Sequence, residues 1–226
     1  MRLSRRLPLL AALAAGAWYL RGVYRFRDPV RLPPQEPGSV LSPADGLVAF
    51  VKRTQNGAVD GVAMTELLGP GEHAAGWLLG VFVGPLDVHY IYAPLGGRVA
   101  AAARQEGGRS PVPLGAAAQL LAGRPVNLLG TPAAQGNERF TLTVQAEGGP
   151  SVTVALVAPG AGLNATTYLE AGQTVRQGNK AAFLAEGGLV LVALPETLIP
   201  QVSVGERVTG AQTVLARSPE FSPPGA

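Results

Sequence analysis

A chain of 226 residues, 47% hydrophobic and 15% charged, holds apolar material for one domain with a small appendage. It has no cysteine, and its only histidines are His73 and His89, which excludes disulfides, thiol catalysis, cysteine-bound zinc and multi-histidine metal sites. The net charge of +3 belongs to residues 1–31, where Arg2, Arg5, Arg6, Arg21, Arg25, Arg27 and Arg31 face one acid, Asp28; with 6% aromatics and no basic interleaving, no nucleic-acid partner is expected.

Residues 7–20, LPLLAALAAGAWYL, form an apolar run between arginines. As a helix it spans about 21 Å, less than the hydrocarbon core of a bilayer. Three readings stand. It is a secretory signal, with Ala15-Gly16-Ala17 as a small-x-small cleavage site. It is a retained anchor that tilts or thins the bilayer. Or it lies at the interface with Trp18, Tyr19 and Arg21 at headgroup level. A soluble core helix is the plain alternative.

Residues 28–43 hold five prolines and read as an extended linker. Short apolar runs bounded by turn residues follow. They predict strands at 46–53, 77–83, 97–103, 139–146, 151–157, 189–194 and 212–216, and one short helix near 115–122. The expected fold is mostly β: a sandwich- or barrel-like single domain over 44–216, with an apolar N-terminal helix over 1–27 and a disordered tail at 217–226. Two internal echoes support a β framework. PADGLVA (43–49) and PLGGRVA (94–100) share Pro-x-x-Gly-x-Val-Ala; LEAGQTVRQG (169–178) and VSVGERVTG (202–210) share Gly-x-x-Val followed by a second glycine. The second pair is similar to the turns of the lipoyl/biotinyl hammerhead, with glycines for tight turns and a valine plugging the core.

Chemistry-bearing residues are few. Asp45 sits in the turn Ser42-Pro-Ala-Asp-Gly46, where a turn-stabilising role is the ordinary one. Asp87 and His89, in GPLDVHYIYAP (84–94), share a face if the segment is a strand, and a carboxylate beside an imidazole orients it for acid–base work. The competing reading is a structural histidine. His73 reads as loop decoration. The corner Glu186-Gly187-Gly188 interrupts an apolar run and has no nucleophile, acid pair or metal ligand beyond Glu186.

Taken in order, YRFRDPVR (24–31), LSPADGLV (41–48), LDVHYIYAPLGGRV (86–99), GNERFTLTV (136–144), GNKAAFLAEGGLVLVALP (178–195) and VSVGERVTGAQTVLA (202–216) resemble the phosphatidylserine decarboxylase family. The closer likeness is to its short, archaetidylserine-type branch, and it covers about residues 20–216. The resemblance implies an all-β, pyruvoyl-dependent decarboxylase of phosphatidylethanolamine-type phospholipid metabolism at the cytoplasmic membrane, peripheral or anchored by its N-terminus. It favours the anchor over the cleaved signal, because the arginine-rich segment follows the apolar run as in the family. It gives Asp45 and His89 the roles of assisting self-cleavage, and His89 a part in decarboxylation. Asp87 and Pro94, flanking His89, become candidate substrate-binding residues.

The family's serine, which attacks the preceding carbonyl and becomes the pyruvoyl group, falls on Gly188, with Gly187 as its glycine. No serine lies within ten residues of Gly188. Two smaller departures are Ile91-Tyr92 in place of Asn-Arg, and Glu186 where an apolar residue is usual. The expectation is a family member without a cofactor that binds a membrane phospholipid headgroup, or partners an active paralogue or a second copy of itself. The alternatives are an active decarboxylase using another serine such as Ser151, a carrier domain bearing a lipoyl or biotinyl group on Lys180, and an envelope interaction domain.

Overall fold

The computed structural model describes residues 6–71 and 75–219. It opens with helix α1 (Arg6–Gly22) and a 3-10 turn (Tyr24–Phe26). Next come β1 (Ser39–Leu41), β2 (Gly46–Thr54), the hairpin β3 (Ala58–Val59) and β4 (Val62–Ala63), and the short helix α2 (Met64–Leu68). Strands β5 (Gly76–Val83), β6 (Tyr90–Tyr92) and β7 (Gly97–Gln105) precede helices α3 (Leu114–Leu121) and α4 (Pro132–Gly136). The hairpin β8 (Arg139–Gln145) and β9 (Ser151–Val157) follows. The last part holds β10 (Ala165–Thr167), β11 (Thr174–Val175), β12 (Lys180–Leu184), β13 (Gly188–Pro195), β14 (Ile199–Pro200), β15 (Arg207–Val208) and β16 (Val214–Arg217).

The protein is mostly β, with one curled half-barrel sheet and an N-terminal helix. The main sheet runs β11-β7-β8-β9-β13-β5-β2-β15, and its neighbouring strands are antiparallel. Leu189–Leu194 of β13 is apolar without alternation because both of its faces are buried. Val190, Val192 and Leu194 point into a core shared with Val40, Ile91, Leu184 and Leu215 of the smaller sheets. Leu189, Leu191 and Ala193 face a second core under Met64, Leu67 and Leu68 of α2, Leu120 of α3 and Ala134 of α4. Each buried Leu or Val side chain contributes about 1.5–3 kcal/mol of transfer free energy. Helices α2 and α4 were not expected from the sequence, being five residues each and too short to show a period. They are tied to the sheet by Arg139, which is 3% exposed and donates to the carbonyls of Glu66, Leu67 and Gln135 near the ends of both helices.

The sequence echoes are a structural repeat. β2 with β15 and β7 with β11 have the same register: Val208 opposite Gly46 and Val175 opposite Gly97. Matching backbone bonds run from Val48 N to Glu206 O and from Val99 N to Gln173 O. Leu41 N donates to Pro94 O while Tyr92 N donates to Pro43 O, an exchange expected of a pseudo-two-fold axis. The strand bulges also coincide, between Val48 and Phe50 and between Val99 and Ala101. The axis falls between β9 and β13, the two central strands.

The proline-rich segment expected as a linker is strapped to the domain. Asp28 pairs with Lys180, Arg31 with Asp45 and Glu36 with Arg217, and the segment ends in β1. Arg217 closes β16; residues 220–226 of the expected tail, and His73, lie outside the described residues. No helix among the described residues is long and apolar enough to cross a membrane. The side chains of α1 are largely exposed, including Leu9, Leu10, Leu13, Trp18 and Tyr19.

Candidate functional site

His89 lies on the segment between β5 and β6, 3% exposed. Its Nδ1 is 3.2 Å from Ala185 O and its Nε2 3.3 Å from Gly84 O. A neutral imidazole donates from one nitrogen only, so one of these contacts lacks a proton. Burial is the largest influence on the ring and holds its pKa below the ordinary 6.5; Arg25 acts in the same direction and the two carbonyls oppose it. Burial thus favours the neutral ring.

Asp87 does not orient His89. Residues 84–89 form a turn and not a strand, so the two-residue alternation does not apply. Asp87 Oδ2 accepts Gly84 N at 2.8 Å and Oδ1 accepts Arg207 Nη2 at 2.5 Å, which closes the turn that presents the histidine. Pro94 sits on the seam between the repeats, its carbonyl accepting Leu41 N at 2.8 Å and Gln177 Nε2 at 3.1 Å. It is not among the residues lining the cavity beside His89.

Asp45 is fully engaged. Its carboxylate takes both Arg31 terminal nitrogens, at 2.5 and 2.8 Å, and the Gly210 N–H at 2.7 Å. A longer contact, 3.4 Å, runs from Val88 N, so Asp45 meets the backbone next to His89. The Arg31 and Asp45 side chains are 6% and 14% exposed, and the guanidinium lies over the Tyr92 ring at 5.1 Å. Desolvation opposes the charge on Arg31, but its bond to Asp45 and their mutual attraction leave the pKa above its usual value. Asp45 here is a counterion, with no free lone pair directed at His89.

Beside His89 is a cavity of about 300 Å³ between α1 and the glycine corner, lined by Ala17, Leu20, Arg21, Arg25, Ala185 and Glu186 among others. Arg21 Nη2 lies 2.9 Å and Arg25 Nη1 3.3 Å from the Glu186 carboxylate, and Arg25 Nη1 also donates to Ala185 O at 3.2 Å. Phe26 stacks on Phe183 with centroids 5.3 Å apart, seating the end of the N-terminal segment against β12. The sequence reading missed these pairings: it assigned the arginine excess of residues 1–31 to the N-terminus without naming Asp45 or Glu186 as its counterions.

The corner itself is built on glycine. Gly187 has φ +69°, and a Cβ there would lie 2.5 Å from Val83 O. Gly188 has φ +133°, and a Cβ there would lie 2.7 Å from Val157 O. Gly188 is also the first residue of β13, paired with Val83. At this position, where the resemblance places the family's serine, the chain has no hydroxyl, and its backbone is one that L side chains rarely adopt. Ser151 is at the start of β9, whose other end pairs with β13 through Val157 and Leu189. Six strand residues, about 20 Å, separate it from that end. Lys180 is on β12 between β10 and β6, paired with Asp28 and 4.4 Å from the Tyr90 ring centroid, and not at a hairpin tip.

A mostly β domain with an N-terminal helix, a buried histidine and a corner built on two positive-φ glycines thus frames the site. Residues 18–216 match the phosphatidylserine decarboxylase family. The chain is 28% identical to the phosphatidylserine decarboxylase proenzyme of Ruegeria pomeroyi, over 85% of this chain and 77% of that one. It is 28% identical to the proenzyme of Neisseria gonorrhoeae, over 94% and 74%, and 30% identical to that of Burkholderia ambifaria, over 84% and 76%. The chain belongs to the phosphatidylserine decarboxylase family. That family is pyruvoyl-dependent, with the group generated from the chain itself. The residues present do not fit such a group at position 188, which offers neither the hydroxyl nor room for its Cβ.

Proposed function

We propose that this protein is an unprocessed, non-decarboxylating member of the family that acts in phospholipid metabolism by binding a phospholipid headgroup in the His89 cavity, at the membrane surface. The observation that carries the reading is Gly188: its missing side chain and positive φ leave nothing from which a pyruvoyl group forms. The engagement of Asp45 by Arg31 and Gly210 N–H supports the same reading, because that carboxylate is not free to assist self-cleavage. The exposed apolar side chains of α1 and the arginines at its end suit contact with a lipid surface. The distance of Ser151 from the corner weighs against an active decarboxylase drawing on that serine. The ion pair of Lys180 weighs against a carrier role.

Incubating the full-length protein with phosphatidylserine vesicles and following the lipids by mass spectrometry tests the proposal. No phosphatidylethanolamine is expected to form, and vesicle flotation is expected to weaken when His89→Ala or Leu20→Trp alters the cavity. Steady formation of phosphatidylethanolamine that depends on His89 would overturn it.

A further inference from the structure

Helix α3, beside the turn that presents His89, is apolar on both faces. Its inner face, with Ala116 and Leu120, packs on the second core. Its outer face presents Leu114, 89% exposed, and Leu121, 58% exposed. Seven residues apart, these two lie on one side of the helix. From Pro111 to Gly123 no residue is charged, and Arg124 follows. A helix apolar all round is ordinarily covered all round, and no described part of this chain covers the outer stripe of α3. Leu121 reaches the His89 turn at Gly84, where a Cβ would lie 3.7 Å from its Cδ2. Two residues further on, Leu86 is 58% exposed. Its backbone is held in place: Gly84 N donates to Asp87 Oδ2, and Arg27 Nη2 donates to Leu86 O at 2.6 Å. Pro85, between them, lines the cavity together with Ala17 and Leu20 of α1, so the apolar surface runs on into that helix.

We infer that Leu86, Leu114 and Leu121 form a membrane-contact surface on the folded domain itself, which dips into an anionic bilayer and sets the mouth of the His89 cavity at the level of the lipid headgroups. Charge favours a lipid surface as the cover. Around these side chains Arg21, Arg25, Arg27, Arg124 and Arg207 outnumber the acids Asp87, Glu186 and Glu206, and Asp87 and Glu186 are already paired with arginines. Exposed leucines ringed by guanidiniums suit the boundary between acyl chains and phosphates. The surface is separate from α1: a chain held by α1 alone would leave the domain free to turn, whereas a second contact beside His89 fixes which side faces the lipid. The inference rests on the reading that the protein works at a membrane surface.

The chain has no cysteine, so single labels report each position cleanly. Full-length Leu86→Cys, Leu121→Cys and Glu147→Cys are labelled with a polarity-sensitive nitrobenzoxadiazole dye and mixed with phosphatidylcholine vesicles containing phosphatidylglycerol. Glu147 is the control, being exposed on the hairpin at the far end of β9. The labels at 86 and 121 are expected to brighten, shift to shorter wavelength and be quenched by brominated acyl chains, while the label at 147 stays unchanged. The unlabelled double variant Leu86→Gln/Leu121→Gln, altered only at exposed side chains, is expected to partition onto the same vesicles at least about tenfold more weakly. The response of vesicle-bound protein at both labels is expected to survive His89→Ala, which separates this surface from the headgroup cavity. Flotation with all three labels still in water would overturn the inference and leave α1 as the membrane contact. Absence of flotation would overturn the membrane reading and the inference with it. A response at 86 and 121 that grows with protein concentration in the absence of vesicles would assign the surface to a second copy of the chain and overturn the inference.

Discussion

The segment Ala-Glu-Gly-Gly occurs twice, at 146–149 and at 185–188, and the two copies meet different fates in a pseudo-symmetric sheet. The first joins β8 to β9 as a plain hairpin turn, with Ala146 N donating to Pro150 O and Glu147 exposed. The second stands at the corresponding end of β5 and β13, where no hairpin joins the strands. There the segment 84–89 brings His89 against Ala185, and Arg21 and Arg25 bind Glu186. The other symmetric pair behaves alike. Asp45 and Gly96 occupy equivalent places in the echoed motif, yet only Asp45 has a buried guanidinium beside it. The repeat builds the scaffold, and the site lies where the N-terminal segment breaks the repeat by covering one end only.

The largest contrast is expected between Asp45→Ala and Gly96→Ala. Removing Asp45 leaves Arg31 buried and unpaired, and urea unfolding is expected to show a loss of about 3–5 kcal/mol. Gly96 meets nothing closer than 3.4 Å, so an alanine there is expected to cost under about 1 kcal/mol. Equal losses would remove the distinction between the two ends. Next come the two turns. Gly187→Ala puts a Cβ 2.5 Å from Val83 O and is expected to cost about 3 kcal/mol, whereas Gly148, at φ +63° with open space around it, is expected to cost about 1 kcal/mol, the left-handed strain alone.

His89 gives a pH dependence that the hairpin end lacks. The unfolded chain takes up a proton at this residue near pH 6.5, while the folded protein resists until a lower pH because the ring is desolvated. In that window the unfolded state binds more protons, so its contribution to stability is full above the unfolded pKa and is lost as pH falls towards the folded one. Thermal melts of His89→Gln are expected to fall less between pH 7 and 5 than those of the wild type. The smallest effect belongs to the acids: Glu186→Gln is expected to cost up to about 1 kcal/mol, reduced by salt, and Glu147→Gln nothing measurable.

Much of the fold was legible because the strands advertise themselves. Ser151–Val157 was read to the residue, and the echoes marked the repeat, since register and tight turns demand particular glycines. The brief strands β6, β10 and β12 and the five-residue helices carry too little pattern to read. The site was half legible. The sequence singled out His89 and the glycine corner, which the fold brings together through Ala185, but Asp87 was given to the histidine when it serves the turn. The pairings Arg31–Asp45 and Arg25–Glu186 join residues 14 and 161 apart in the chain, and no local periodicity reports a contact of that kind.

The central claim is that Gly188 ends self-processing, and the intact mass of the purified full-length protein tests it most directly. A single chain of 23.2 kDa is expected, and Gly188→Ser is expected to remain whole as well, because its Cβ is obstructed by Val157 O and its backbone is unsuited to an L residue. Fragments corresponding to residues 1–187 and 188–226, or any subunit with a pyruvoyl-blocked N-terminus in the wild-type protein, would contradict the account.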